Sequence, residues 1–201
     1  MNEIDRRDYY RIHDNIEVEC KVIHRSDLAS TAPTDHFDVT PSFSLLADLY
    51  TMELEAQDML RKIAARDRDL GSFLHNVSNR LARMSQVIAA GEFEQPEARS
   101  PARISEGGIS FVNQDLLRVG SPVVLKLLFK PSTLGIIVFG EVRHCRFLDD
   151  SEDYVVGVRF LDMDLNLRGL VSRHIIRRQA EERRERLRRD ANFDIEDTHG
   201  Q

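Results

Sequence analysis

Three arginines and two tyrosines crowd one short segment near the start of the chain. Residues 6–12 read RRDYYRI and place Arg6, Arg7 and Arg11 just before the first run with strand character. A guanidinium group can hold a phosphate through paired hydrogen bonds and can stack on a purine ring. The segment therefore suggests a clamp for an anionic ligand, and the alternative is a solvated charge cluster of the kind common near chain termini.

Alternating apolar and polar residues predict the strand that follows. Residues 16–23 read IEVECKVI, the pattern of a strand with one buried face. Strand signals return later in the runs ARISEGGISFV, PVVLKLLFK, LGIIVFGEVRHCRFL and DYVVGVRFLDM. A turn at Glu106-Gly107-Gly108 would divide the first of these runs, with its glycines at positive φ. About six strands separated by Gly, Asp, Ser and Pro turns predict a mainly β fold, a six-stranded antiparallel barrel.

A long helical segment is expected to interrupt this barrel. Thr40 can cap it and Pro41 can begin it. Its apolar residues recur every 3.5 residues, as in a coiled coil, whereas a helix lying on its own barrel normally follows a 3.6-residue period. We therefore expect self-association as a dimer to tetramer, and both a continuous helix and a break near Glu53 stay open. The expected oligomerisation residues are Leu60, Ile63, Asp67, Leu70, Leu74, Val77, Leu81, Met84 and Ile88, with Asp67 as a polar position that fixes the register.

A last helix from about Asn166 is expected to close the fold, because apolar residues again share one helical stripe there. The signals divide the chain into four parts. These are an N-terminal arm with the first strand (1–23), the inserted helical segment (41–91), the rest of the barrel with the C-terminal helix (98–189) and an acidic tail (190–201).

Composition and spacing narrow the class of function. The net charge of −6 argues against general coating of nucleic acid, and the arginines of the last helix have glutamate neighbours at helical spacing. No apolar run approaches the roughly 20 residues of a membrane span and the N-terminus lacks an apolar signal, so we expect a cytoplasmic protein.

Cys20 and Cys145 stand apart and no histidine pair has metal-ligand spacing, so neither a metal nor a cofactor is predicted. The sequence carries no motif of a nucleophilic or phosphoryl-transfer site, and we do not expect an enzyme.

Two segments of the sequence resemble the signature of the PilZ family of cyclic di-GMP receptors. Residues 7–11 match the family's RxxxR motif, which precedes the first strand. Residues 103–108, RISEGG, fall on its (D/N)xSxxG motif, in which Ser105 and Gly108 match and Arg103 replaces the acid or amide. The resemblance implies a bacterial origin and a PilZ-like barrel that is extended here by the helical insertion.

The resemblance also implies roles for individual residues. The arginines of the first motif would hold the phosphates and guanines of cyclic di-GMP, Ser105 would hydrogen-bond its polar edge, and Gly108 would permit a close backbone approach. Arginine has no acceptor for a guanine edge, and a missing partner of this kind costs about 1–3 kcal/mol unless Arg103 reaches a phosphate instead. The predicted ligand-binding residues are Arg6, Arg7, Arg11, Arg103, Ser105 and Gly108.

The resulting hypothesis is an oligomeric receptor or adaptor that senses cyclic di-GMP and signals through an unidentified protein partner. A rival hypothesis is a divergent PilZ-like protein that binds no nucleotide and presents copies of an interaction surface around a coiled coil. Arg103 and the long heptad repeat favour the rival, whereas the intact RxxxR motif with Ser105 and Gly108 favours the receptor.

Overall fold

A computed structural model describes residues 11–89, 102–149 and 151–197 of the 201-residue chain. The strands are β1 (Ile12–Val22), β2 (Ala102–Ser105), β3 (Gly108–Asn113), β4 (Pro122–Lys130), β5 (Leu134–Leu148) and β6 (Asp153–Phe160). The helices are α1 (Asp27–Ser30), α2 (Pro41–Arg66), α3 (Arg68–Ala89) and α4 (Leu165–Asp197), with a 3₁₀ turn at Pro33–His36. No helix among the described residues is long and apolar enough to cross a membrane.

The six strands close into an antiparallel barrel in the order β1-β2-β3-β6-β5-β4. β1 completes this barrel although α1, α2 and α3 separate it from β2 in the sequence. The predicted barrel, the helical insertion and the C-terminal helix are therefore confirmed. α4 continues through Asp197, so it includes most of the segment from residue 190 onward that we expected to be an acidic tail.

The burial of each strand depends on whether another element covers its outer face. In β1 the side chains of Ile12, Ile16 and Val18 are buried in the barrel while their neighbours point outward. β4 is buried along both faces, because its outer face is covered by the insertion: Leu128 packs against Leu46 of α2. Coverage on both sides explains why β4 reads as a nearly continuous apolar run rather than an alternating one.

The insertion is a helical hairpin that turns at Asp67. Thr40 caps α2 as predicted, since its hydroxyl accepts a hydrogen bond from the backbone N–H of Phe43 at 3.0 Å. Asp67 is extended (φ −140°, ψ 107°), and its carboxylate accepts a hydrogen bond from the N–H of Leu70 at 2.9 Å. Both alternatives left open, a continuous helix and a break near Glu53, are therefore wrong: α2 ends at Arg66, directly before the carboxylate that caps α3. Asp67 thus lies between the helices and does not act as a polar position within one.

Close contacts at both ends of the hairpin show that α2 and α3 run antiparallel. A Cβ on Gly71 would lie 2.6 Å from the Cβ of Ala64, so the first turn of α3 tolerates only glycine at this position without moving α2. At the other end, Ala89 packs with Leu46 and the barrel residue Leu128. Small residues therefore form the face of α3 that lies against α2.

The larger apolar side chains of the hairpin are left exposed. We call this set the apolar stripe: Leu45, Met52 and Met59 of α2, and Leu70, Phe73, Val77, Leu81, Met84 and Val87 of α3. Of the predicted oligomerisation residues, Leu70, Val77, Leu81 and Met84 belong to this stripe, and Leu60, Ile63, Leu74 and Ile88 are half-buried. The packing of α2 against α3 therefore leaves four of the predicted apolar oligomerisation residues exposed and the other four half-buried.

A buried polar network fastens the helices to the barrel. The Nε2 atom of His174 in α4 lies 2.5 Å from a carboxylate oxygen of Asp14 in β1, and both side chains are almost fully buried. On the other side of the imidazole, the hydroxyls of Tyr50 and Ser132 lie 3.4 and 3.3 Å from Nδ1. Arg178 donates to the second oxygen of Asp14 at 3.2 Å. The imidazole of α4 thus contacts α2, β1 and the turn between β4 and β5.

Candidate functional site

The sheet register assembles a row of polar and small residues across the outside of the barrel. His13 of β1 pairs with Arg103 of β2, and Arg103 pairs with Ser110 of β3. Ser110 in turn faces Gly157 of β6, which is opposite His144 of β5. The five residues come from five different strands, yet successive members of the row are cross-strand neighbours.

A second row runs beside the first. Ser105 pairs with Gly108, Gly108 with Arg159, and Arg159 with Glu141. The two rows together make a floor of small residues bordered by positive or titratable side chains. We call this surface the basic face; its floor is Ser105, Gly108, Ser110 and Gly157, and its border is Arg11, His13, Arg103, His144, Arg146 and Arg159.

Two predicted residues, Ser105 and Gly108, form the hairpin between β2 and β3. The Ser105 hydroxyl donates to the backbone carbonyl oxygen of Gly108 at 3.2 Å, so its hydrogen is used within the turn, and the residue is only 5% exposed. The positive φ expected for Gly107 and Gly108 is present at neither residue. Glycine is required at position 108 because a Cβ would lie 2.3 Å from the carbonyl oxygen of Val158 on the neighbouring strand β6.

Arg11 reaches the basic face from the start of β1. It is exposed and directly precedes Ile12, whose partner in β2 is Ile104. Partial burial lowers the pKa of His144, and the nearby charges of Arg11 and Arg146 lower it further, which places these three side chains in one electrostatic neighbourhood. The other two predicted arginines of the N-terminal segment, Arg6 and Arg7, lie outside the described residues.

Among the residues that the structure describes, carboxylates neutralise the positive charge of the basic face only in part. Glu141 accepts a hydrogen bond from Arg143 at 2.8 Å and lies 3.9 Å from Arg159 and 3.8 Å from Arg25. The hydrogen bond from Arg143 and the surrounding arginine charges hold the pKa of Glu141 below its usual value, against a smaller effect of burial. Within the ranges that the structure describes, no ion pair with a carboxylate is found for the border residues Arg11, Arg103 and Arg146.

The structure adds six residues to the predicted site: His13, Ser110, His144, Arg146, Gly157 and Arg159. Their positions depend on cross-strand register, which a single sequence specifies poorly. A β-bulge between Val142 and His144 moves β5 out of simple alternation, so residue spacing alone would not have placed His144 on the outer face. Among the residues that the structure describes, no group of three or more His, Cys, Asp or Glu could hold a metal ion.

Comparison with known proteins gives a family and a fold. The model of the PilZ domain matches residues 78–177, a range that holds β2 to β6 and excludes β1. A search of curated proteins found no match.

Two solved structures are similar. A tetrameric PilZ domain protein of Xanthomonas campestris, self-assembled via a helical bundle, is 14% identical over 87% of this chain and 89% of its own, with a TM-score of 0.50. An inhibitor of motility from Bacillus subtilis (MotI/DgrA) is 24% identical over 39% of this chain, with a TM-score of 0.35, and the chain spans only 40% of its length. The family match, together with the closed six-stranded barrel, shows that the chain belongs to the PilZ family.

Proposed function

We propose that this protein is a cyclic di-GMP receptor that works as an oligomer assembled through its helical hairpin. The PilZ family is a family of cyclic di-GMP receptors, which supports the choice of ligand. The observation that carries the proposal is the basic face, where arginines from three strands and the N-terminal segment border a floor of small residues.

The chemistry of this face suits a flat dianion. Guanidinium groups of Arg11 and Arg103 would bind the phosphates, and their planes would stack on the guanines. The small floor residues Ser110 and Gly108 would let the ligand approach the sheet closely. Arg103 lacks the acceptor that the family's acid or amide offers to a guanine edge, so in this protein it would act on a phosphate instead.

A titration followed through backbone amide signals tests where the ligand binds. On addition of cyclic di-GMP to the ¹⁵N-labelled protein, we expect chemical-shift changes at Ser105, Gly108, Ser110 and Gly157. Val22, at the far end of β1, is the internal control and should not shift. Changes confined to the hairpin helices, or no changes at all, would contradict the proposed site.

The proposed assembly rests on the apolar stripe. Phe73 is 64% exposed, Met84 62% and Leu81 53%, and an uncovered surface of this size and spacing is typical of a contact between copies. The similar Xanthomonas campestris structure is a tetramer self-assembled via a helical bundle, which supports a second copy of the chain as the occupant. The hairpins of two or more chains would then cover each other's stripes.

A single charge in the stripe should separate the copies. Leu81→Glu places a carboxylate where an apolar contact is expected, and we predict a shift to monomer by light scattering coupled to size-exclusion chromatography. Asn79→Glu adds the same charge to an exposed position two residues away, on the opposite side of α3, and should leave the oligomer intact. The assembly is refuted if the wild-type protein is monomeric, or if both variants behave as wild type.

The proposed receptor passes its signal to a protein partner. Ligand binding would order the segment from Arg6 to Arg11 over the basic face and change the surface beside the barrel.

The rival function is a helix-assembled scaffold that binds no nucleotide. It is favoured by Arg103 and by the commitment of the Ser105 hydroxyl to its own turn, and a protein that assembles but does not bind the ligand would establish it.

A further inference from the structure

The imidazole of His144 covers part of the floor of the basic face. A Cβ on Gly157 would lie 1.9 Å from Cε1 of His144 and 2.4 Å from both ring nitrogens, so the ring rests directly on the backbone of Gly157. The β-bulge between Val142 and His144 produces this placement by displacing the residues of β5 against β6. A ligand that approaches the floor at Gly157 must therefore contact this ring or displace it.

The surroundings of His144 are cationic. Arg11 from the start of β1 and Arg146 from the same strand both act on its charge. In the neighbouring row, Arg159 of β6 faces Glu141 of β5, whose carboxylate is already shared with Arg143. The ring therefore lies among arginines with only one carboxylate in the adjacent row, and that carboxylate is itself neutralised by arginines.

We propose that His144 couples ligand binding at the basic face to proton uptake, with a neutral ring resting on Gly157 in the free protein and a protonated ring pairing with a ligand phosphate in the complex. The inference rests on the proposed function and adds to it a regulation of the same site by pH. The imidazole is suited to this role because it is the side chain whose charge ordinarily changes near neutral pH.

The sign of the pH dependence follows from linkage. In the free protein, partial burial and the charges of Arg11 and Arg146 keep the pKa of His144 below its usual value, so the protonated form is disfavoured. A bound phosphate would offset the arginine charges and raise this pKa. Between the free and the bound pKa the complex holds one more proton, so the affinity increases as pH falls through that window and weakens as pH rises through it.

Calorimetric titration with cyclic di-GMP at pH 5.5, 6.5 and 7.5 tests the inference on the full chain. For the wild type, we expect Kd to rise with pH, by up to about tenfold per pH unit within the window. We also expect the observed heat to vary with the ionisation enthalpy of the buffer, because a proton is taken up. His144→Gln, which keeps a polar planar end group but does not titrate, should lose both effects. His75→Gln, at an exposed histidine of α3 that lies outside the basic face, is the matched control and should keep them.

The possible results separate the inference from the function on which it rests. Binding whose Kd is the same at each pH, or whose pH dependence survives in His144→Gln, overturns the role of His144 and leaves the receptor function standing. Absence of binding at all three pH values, from protein shown to be folded, overturns both. A proton magnetic resonance titration of the His144 ring gives a second readout, with a higher pKa expected in the complex than in the free protein.

Discussion

Asp14→Ala is expected to lower the free energy of unfolding by about 3–5 kcal/mol, because the buried carboxylate is paired with Arg178 and hydrogen-bonded to the buried imidazole of His174. The side chain of Asp14 is fully buried and accepts hydrogen bonds from His174, Arg178 and the backbone N–H of Asn15. Alanine would leave the imidazole of His174 without its acceptor in a site that water does not reach. Urea denaturation monitored by circular dichroism measures the change.

Two comparisons make this result interpretable. Asp14→Asn keeps an acceptor oxygen at nearly the same volume, and should cost less than the alanine variant. Glu55→Ala removes an exposed carboxylate from α2 and should change the stability by less than about 0.5 kcal/mol. If Asp14→Ala and Glu55→Ala unfold at the same urea concentration, the network does not stabilise the fold.

The same network explains how the hydroxyl of Tyr50 is held. Burial, helped by the charge of Glu53 and opposed by that of Arg177, raises the pKa of Tyr50 to about 12, so the phenol stays neutral beside the His174 ring. His174 contacts Ser132 and Asp14 in the same arrangement as the residues of a hydrolytic triad. His174 is fully buried, however, and the contacts join α2, α4 and the barrel, so we interpret this group as structural.

Arg11→Ala combined with Arg103→Ala is expected to weaken the binding of cyclic di-GMP by a hundredfold or more. Each arginine would make a charge-assisted hydrogen bond to a phosphate, worth about 1.5–3 kcal/mol, and two such losses correspond to roughly 10² to 10⁴ in Kd. The two residues approach the basic face from neighbouring strands, so they would act on the same ligand. Calorimetric titration of the variant against the wild type measures the loss.

A variant with the same change of charge controls for long-range electrostatics. Arg118 and Arg168 are exposed and lie outside the set of residues that defines the basic face. Arg118→Ala combined with Arg168→Ala also removes two positive charges, and should change Kd by less than about threefold. A similar loss in both double variants would show that net charge, not the clamp, determines the affinity.

The barrel could be predicted from the sequence because its strands carry local signals. The alternation in β1 gave its inward face, with Ile16 and Val18 buried as expected. The two-residue turn at Glu106-Gly107 marked the β2-β3 hairpin, although Gly108 serves a close contact with β6 and not a positive φ. Thr40 as a helix cap was predictable for the same reason, since the cap and its helix are neighbours in sequence.

Features that depend on register or on competing packing were not predictable. The heptad pattern continues in phase through Asp67, so nothing in the periodicity indicated a turn there. The antiparallel hairpin uses a different face of α3, in which Gly71 and Ala89 permit close contact with α2. His144 was missed because a bulge decides which way its side chain points.

The central claim is that the basic face binds cyclic di-GMP, and a calorimetric titration of the wild-type protein with this ligand tests it most directly. We predict saturable binding at neutral pH, with no comparable binding of GMP, which lacks the second guanine and phosphate. Absence of binding heat at high ligand concentration, from protein whose circular dichroism shows it to be folded, would contradict the claim and leave the helix-assembled scaffold as the function.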